Sequence, residues 1–436
     1  MTTFDTRPVV AAPAAVPIAA PDADAFAWPD VDAQPGRPAR AAIARRLFRA
    51  AVGRLPLRVE LVATGERWGQ GDAGAPVLRL VRPDAVFDRL GDSGLIGFGE
   101  AYLAGDMDTA DSDELVEVMT VLGRHVGELV PPWMARLRRL GIRAQPPSEA
   151  NTPDGARRNI SRHYDLSNDL FASFLDPSMT YSSALFDRAL GTAAATTTWD
   201  ELEPAQHRKI DRLLDAAGVG AGTSVLEIGT GWGELARRAA ARGAHVRSIT
   251  LSEEQRDLAR RRIADAGLAD RAVVELCDYR DVEGTYDAVV SVEMIEAVGA
   301  EYWPTYLAKL DAVTAPGGTV ALQAITMPHD HMLATVGNYT WIHKYVFPGG
   351  MIPSVTAIAD ALNPTTLRIV DDLSFGPHYA ETLRLWRERF EAAAPSGDRF
   401  DDPIFRRMWT FYLAYCEAGF RARHLDVRQL TLRRPT

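Results

Sequence analysis

Apolar and polar positions follow two different rhythms along the chain, and the change between them marks its organisation. From about Ala39 to Leu140, helical spacing over Ala41 to Val52 and Asp111 to Leu129 flanks strand-like stretches at Arg58 to Ala63 and Val77 to Leu80. That mixture predicts a small α+β module. From Gln206 the pattern becomes a regular alternation: helix (Gln206 to Ala217), strand (Ser224 to Ile228), helix (Gly233 to Arg242), strand (His245 to Thr250) and helix (Glu253 to Ala266). Strands at Val273 to Leu276, Tyr286 to Val292 and Thr319 to Ile325 continue it. Short connections between such elements predict a doubly wound, parallel α/β sheet with right-handed crossovers. The stretch from Leu333 to Leu362 interrupts the rhythm with helix-like, aromatic-rich sequence, the expected cap over a long apolar groove.

Composition changes this picture mainly at the N-terminus. Residues 1–38 are rich in Ala, Pro and Asp without periodicity and are expected to be a disordered extension. Residues 39–143 then form the N-terminal domain, the proline-bearing stretch 144–156 (Pro146, Pro147, Pro153) a linker, and 157–436 the catalytic domain. A chain of 436 residues exceeds what one core usually serves.

The net charge of −10 argues against nucleic-acid binding, which needs a dense field of Lys and Arg. A local basic run, Arg136, Arg138, Arg139, Arg143, Arg157, Arg158 and Arg162, interleaved with Trp133, Leu137, Leu140 and Ile142, reads either as a surface facing lipid headgroups or as a solvated helix face. Cys277 and Cys416 lack the spacing of a disulfide or metal site and look like reduced core residues. The sequence shows neither a run of about 18 apolar residues nor a secretion signal. A cytoplasmic chain that visits the inner face of the membrane without spanning it is the expectation.

Chemistry first becomes legible at Val225 to Ala240, where an apolar strand breaks into a Gly-rich turn that opens a helix. Gly229, Gly231 and Gly233 allow close backbone approach to a nucleotide at the sheet's carboxyl edge. Such a turn serves NAD, FAD and S-adenosylmethionine alike. The second strand ends Ile249, Thr250, Leu251, without the acid that holds dinucleotide ribose hydroxyls, which weighs against NAD. Glu227 precedes the glycines, where a methyltransferase sets a carboxylate towards the amino-acid part of its cofactor. Asp278, Tyr279 and Arg280 follow the third strand, placed to frame an adenine.

Five further motifs carry a resemblance. They are RHYDLSNDLFASFLDPSMTYSSALF (Arg162 to Phe186), YDAVVSVEMIEAVG (Tyr286 to Gly299), WIHKYVFPGGMIPS (Trp341 to Ser354), YAETLRLWRERF (Tyr379 to Phe390) and FRRMWTFYLAYCEAGFRAR (Phe405 to Arg423). Together they resemble cyclopropane-fatty-acyl-phospholipid synthases and mycolic acid methyltransferases over about Arg157 to Leu432, with a weaker echo in FGEAYLAGD, Phe98 to Asp106. The resemblance implies a class I methyltransferase (Rossmann-like) fold with a helical acyl-binding cap.

It also implies S-adenosylmethionine contacts at Tyr181, Ser182, Gly229, Gly231, Gly233, Thr250, Leu251 and Gln255, with Tyr279 and Arg280 bordering the adenine. A bicarbonate ion is implied beside the reacting carbons, held by Ser183, Glu296, Gln323, the Ile325 backbone and Tyr379. Departures are plain: relatives carry Cys at Ser183 and His at Gln323 and Ala297.

The implied reaction adds a methyl group to the cis double bond of a phospholipid acyl chain. Tyr181, Trp341, Tyr345, Phe347 and Trp386 are available to face the resulting cation, and each is also a candidate for plain core packing. Loss of a proton then gives either a cyclopropane or a methylene branch that a partner reductase could convert to a methyl branch. The alternatives are a catalytically silent lipid-binding protein and an NAD(P)-dependent oxidoreductase. The N-terminal domain is expected to dock on anionic bilayers or to form a homodimer contact. His329 and His331 lack companions for a metal site, so no metal is expected; His163 reads as a lid, capping or core residue.

Overall fold

Two sheets organise the protein, whose computed structural model describes residues 29–32, 36–125, 146, 149–153, 155–156, 158–159, 167–191, 197–394 and 399–436. The smaller comes first. A helical turn, α1 (Pro29–Asp32), and helix α2 (Pro38–Val52) lead into β1 (Arg58–Leu61), β2 (Arg67–Trp68) and β3 (Val77–Leu80). Helices α3 (Pro83–Ser93) and α4 (Leu95–Leu103), strand β4 (Met107–Asp108) and helix α5 (Ser112–Arg124) follow. The strand order is β2-β1-β3-β4. Helices α2 and α3 begin with Pro, whose missing N–H falls where no helical partner exists. Asp111 caps α5 by accepting from the Glu114 N–H at 2.8 Å.

The extension expected to be disordered through residue 38 is ordered at α1. Val31 is buried there, and the buried Arg89 donates to the carbonyls of Asp30 and Val31 while pairing with Asp106 at 2.9 Å. A buried guanidinium needs several acceptors, and this turn supplies two of them.

The larger unit begins with α6 (Asn168–Phe174) and α7 (Leu202–Ala216), then β5 (Ser224–Ile228), α8 (Glu234–Ala241), β6 (His245–Thr250), α9 (Glu253–Asp265) and β7 (Ala272–Leu276). It continues through β8 (Tyr286–Val292), α10 (Trp303–Val313), β9 (Thr314–Thr326), α11 (His329–Thr335), α12 (Trp341–Tyr345) and α13 (Val355–Leu362). Strand β10 (Arg368–Ser374), helices α14 (Gly376–Ala392) and α15 (Pro403–Arg421), and β11 (Asp426–Arg433) complete it.

The seven strands run β10-β11-β9-β8-β5-β6-β7. Strands β9, β8, β5, β6 and β7 are parallel, but β11 is antiparallel to both β9 and β10. The five strands read from the sequence are parallel as expected, and the pair β10 and β11, which that reading lacked, gives the sheet a mixed character. Its cause is the helical hairpin: α14 and α15 pack antiparallel, with Glu381 paired to Arg421 and Arg387 to Glu417. That hairpin returns the chain to the end of β10, where Ser374 Oγ donates to Asp426 at 2.7 Å, so β11 can only run back alongside.

The two units share a wall. Helix α5 packs on α15, and α4 on α12 and α15. Arg387, buried, joins Glu417 to Asp113 of α5, and Arg407 reaches Asp108 at 3.1 Å. At Gly99 the Trp341 ring lies so close that an added Cβ would stand 2.4 Å from it. Beside it, Glu100 accepts from Lys344 and, at 2.9 Å, from Tyr345, while Lys344 also pairs with Asp30 of α1. Trp341 and Tyr345 are thus spent on this contact.

The stretch expected to be a linker is fastened where it is described. Asn151 is buried, donates to the Gly349 carbonyl at 2.8 Å and accepts at its own carbonyl from Arg280 at 3.2 Å. Glu149, also buried, accepts from the Tyr339 hydroxyl at 3.0 Å. The carboxamide and carboxylate satisfy backbone and hydroxyl groups of the larger unit, which ties the segment to it. Of the basic run only Arg158 is among the described residues; the others, with Trp133, Leu137, Leu140, Ile142 and His163, lie outside them. No helix among the described residues is long and apolar enough to cross a membrane.

Candidate active site

Strand β5 ends in a turn whose backbone only glycine adopts readily: Gly229 and Gly231 have φ of +95° and +53°. At Gly229 an added Cβ would stand 2.7 Å from the Met294 side chain, which would have to shift to admit it. The turn floors a pocket at the carboxyl edge of the sheet. Of the expected cofactor residues, Tyr181, Ser182, Glu227, Gly229, Gly231, Thr250, Leu251, Gln255 and Tyr279 line it. Gly233 stands just behind as the N-cap of α8, packed on Ala259. Asp278 and Arg280 do not line the pocket; they form an ion pair with each other at 2.8 Å, with Arg280 lying over the Tyr279 and Tyr302 rings. The glycine turn leaves its backbone open to a nucleoside, and Glu227 brings a carboxyl group to the same pocket.

Glu227 is buried and accepts from Ser248 Oγ at 2.5 Å. Burial pushes its carboxyl up to about 8, against the opposing pull of Ser248 and of the Lys209 charge. Lys209 lines the same pocket and was not foreseen. Its signal was present in the sequence: on α7 the buried stripe runs Leu202, Ala205, Gln206, Lys209, Ile210, Leu213, Leu214, and a lysine in that register must be buried with the rest.

The second unforeseen residue is Glu293, also in the pocket wall. The donors expected around an ion converge instead on its carboxylate. Oε1 accepts from the Ser183 N–H at 3.0 Å and from Gln323 Nε2 at 2.8 Å, and Oε2 accepts from the Tyr379 hydroxyl at 2.7 Å. Gln323 is held in this orientation because its Oε1 accepts from Gln429 Nε2 across the β9–β11 register. Ser183 serves through its backbone; its hydroxyl donates to the Ala184 carbonyl. Glu293 has φ of +51°, a left-handed conformation costly for a side-chain-bearing residue, which the surrounding hydrogen bonds hold in place. Burial raises the Glu293 carboxyl, while its three donors and Lys209 pull it down.

Glu296 lies one short turn further on. Its Oε1 accepts from the Ile325 N–H, and its Oε2 is buried with no partner among the described residues. Burial, with Glu293 nearby, pushes it up to about 8. Ser183, Gln323 and Tyr379 therefore converge on a carboxylate that the expectation lacked, while Ile325 bonds Glu296 beside it.

Aromatic rings close the far side. Tyr181 stacks on the buried Trp386 with centroids 5.3 Å apart, and its hydroxyl lies 2.6 Å from that of Tyr412. Phe347 approaches Tyr412 edge-on, whereas Trp341 and Tyr345 face the N-terminal unit as described above. His331 stacks on His424 at 4.7 Å and His329 bonds Ser354 Oγ. Among the described residues no group of three or more His, Cys, Asp or Glu could hold a metal ion.

Comparison with known proteins agrees with this architecture. The family model described as mycolic acid cyclopropane synthetase matches residues 151–430. The chain is 57% identical over 403 residues to the tuberculostearic acid methyltransferase UfaA1 of Mycobacterium tuberculosis, covering 91% of this chain and 92% of that one. It is 34% identical over 368 residues to the cyclopropane-fatty-acyl-phospholipid synthase of Escherichia coli, covering 84% and 89%. Among solved structures, the cyclopropane synthase MmaA2 from Mycobacterium tuberculosis matches with a TM-score of 0.57 at 30% identity, covering 64% of this chain and 98% of that one. CmaA1, solved with SAH and CTAB, matches with the same TM-score at 28% identity, covering 64% and 98%. On the family match and on relatives that span most of its length, the chain belongs to the mycolic acid cyclopropane synthetase family and is an S-adenosylmethionine-dependent methyltransferase.

Proposed function

We propose that this enzyme methylates the cis double bond of an unsaturated acyl chain in a membrane phospholipid, and that Glu293 removes the proton that completes the reaction. The observation that carries the reading is the convergence of Ser183, Gln323 and Tyr379 on the Glu293 carboxylate in the wall of the cofactor pocket.

S-adenosylmethionine supplies an electrophilic methyl group when bound. The chain's own residues do the rest. Tyr181, Ser182, the glycine turn, Thr250 and Gln255 seat the cofactor, and Glu227 faces its amino-acid end. An alkene is a weak nucleophile, so the acceptor must be held in line and dry, which the cluster of half-buried Tyr181 with buried Trp386 and Tyr412 favours. Those ring faces also stabilise positive charge on the acyl chain. A hydride moving from the methyl-bearing carbon to its neighbour shifts the positive charge onto the methyl-bearing carbon; a Glu293 oxygen then takes a proton from the new methyl group, and the C–H electron pair becomes the second bond of the methylene branch.

A bicarbonate ion does not fit this site as it fits the pattern that the resemblance implies. Of the donors that would hold it, Ser183, Gln323 and Tyr379 are bonded to Glu293 and the Ile325 N–H to Glu296, so no step is assigned to the ion. A tethered base in its place is consistent with the departures at Ser183 and Gln323. The 57% identical tuberculostearic acid methyltransferase favours a methylene branch over a ring as the product, with a reductase completing the methyl branch. Access to membrane lipid would be peripheral, at an anionic surface.

The test is to incubate the protein with S-adenosylmethionine and oleoyl phospholipid vesicles and identify the fatty acids by mass spectrometry. A methylene-branched chain supports the reading. A cyclopropane overturns the product assignment, and an unchanged oleoyl chain overturns the function.

A further inference from the structure

Lys209 is 1% exposed, lines the same pocket wall as the carboxyl groups of Glu227 and Glu293, and has no place in the chemistry described so far. Its Nζ donates to Ser182 Oγ at 2.6 Å, and the next residue, Ser183, gives its N–H to Glu293. Its own backbone carbonyl accepts from Gln429 Nε2, the same amide that orients Gln323 towards Glu293. Lys209 is thus tied by short hydrogen-bonded paths to two of the three groups that hold the base.

Burying an ammonium is costly, and a core lysine without a function would be replaced by an apolar residue at no loss. The charged groups facing Lys209 are Asp176 from the loop after α6, Glu227 on β5 and Glu293 after β8. Those facing Glu293 are Lys209 and the Tyr379 hydroxyl, with Glu296 coupled to it from the following turn. Among these, Lys209 is the one cation that acts on both the cofactor-side and the acceptor-side carboxylate.

We infer that Lys209 is a positioning residue for the methyl-transfer reaction: its buried charge keeps Glu293 ionised as a base, and its bond to Ser182 ties the cofactor seat to that base. The inference rests on the reading of Glu293 given above. Burial raises the Glu293 carboxyl, and a carboxyl that kept its proton would be unable to accept another. Burial draws the lysine itself down to about 8, so around neutral pH it still carries the charge that the base requires.

The test is the pH dependence of kcat with S-adenosylmethionine and oleoyl phospholipid vesicles, using the full chain. In Lys209→Met the acid limb should move to higher pH by about one unit, the size expected for loss of a nearby opposite charge. Lys209→Arg, which keeps the charge, should leave the limb close to that of the wild type. Should the Met variant fail to fold, Lys209→Gln, which keeps a donor for Ser182 but not the charge, provides a second reading and should move the limb in the same direction. A folded Lys209→Met or Lys209→Gln with an unmoved limb overturns the inference. Absence of any methylated lipid with the wild type would instead overturn the function on which it rests.

Discussion

The cofactor side and the acceptor side of this active site are assembled in contrasting ways. The first is made by consecutive strand ends: Glu227, the glycine turn and Thr250 belong to one β-α-β stretch and are placed by it. The second is made by convergence, since Ser183, Glu293, Gln323 and Tyr379 come from four separate segments that meet only when the sheet, its antiparallel edge and the α14–α15 hairpin are all in place. A site of the first kind survives alteration of its surroundings. One of the second kind depends on them, so lesions on the acceptor side should stop turnover while sparing cofactor binding.

The strongest break in that contrast is Glu293→Gln. Loss of a general base should lower kcat by about 10²–10⁴-fold. Affinity for S-adenosylhomocysteine by calorimetry should hold, and wild-type turnover in this variant would remove Glu293 from its role. Gly99→Val comes next. Overpacking against Trp341 should cost about 1–3 kcal/mol locally and reduce lipid turnover by about tenfold, again with cofactor affinity unchanged. Equal loss of both would mean that the two sides are not separable.

Glu296→Gln should be milder on turnover, because the carboxyl it replaces is already protonated near neutrality. Its signature is in stability. A carboxyl raised from 4.5 to about 8 holds a proton in the native state that the unfolded chain has lost, so stability falls as pH rises through that window. Glu296→Gln should flatten this decline in melting temperature, and an unchanged slope would refute the assignment. The smallest effect expected is from stripping dissolved carbon dioxide and bicarbonate from the assay, which should leave the rate unaltered. A rate restored by added bicarbonate would return the ion to the mechanism.

Legibility in the sequence follows the same division. The glycine turn and the strands from Ser224 to Val292 could be read because the backbone itself demands those residues and that periodicity. The mixed sheet could not, since β11 is fixed by a helical hairpin between it and β10 rather than by a local pattern. Glu293 lay inside a motif already singled out, three residues before the acid expected to hold the ion. What distinguishes them is a left-handed backbone and the aim of three distant donors, neither of which is written in adjacent residues. Lys209 is the intermediate case. Its place on an apolar stripe announced burial, while its partners awaited the fold.

The seam at Gly99 bears on how this molecule can be dissected. Because the indole of Trp341 rests on a bare backbone from the other unit, and Lys344 is shared between Glu100 and α1, a cut between the two sheets would strip the lining from one side of α12. A catalytic fragment starting near residue 151 would carry an apolar scar where α4 had been. It should aggregate or need a detergent to stand in for the missing helix.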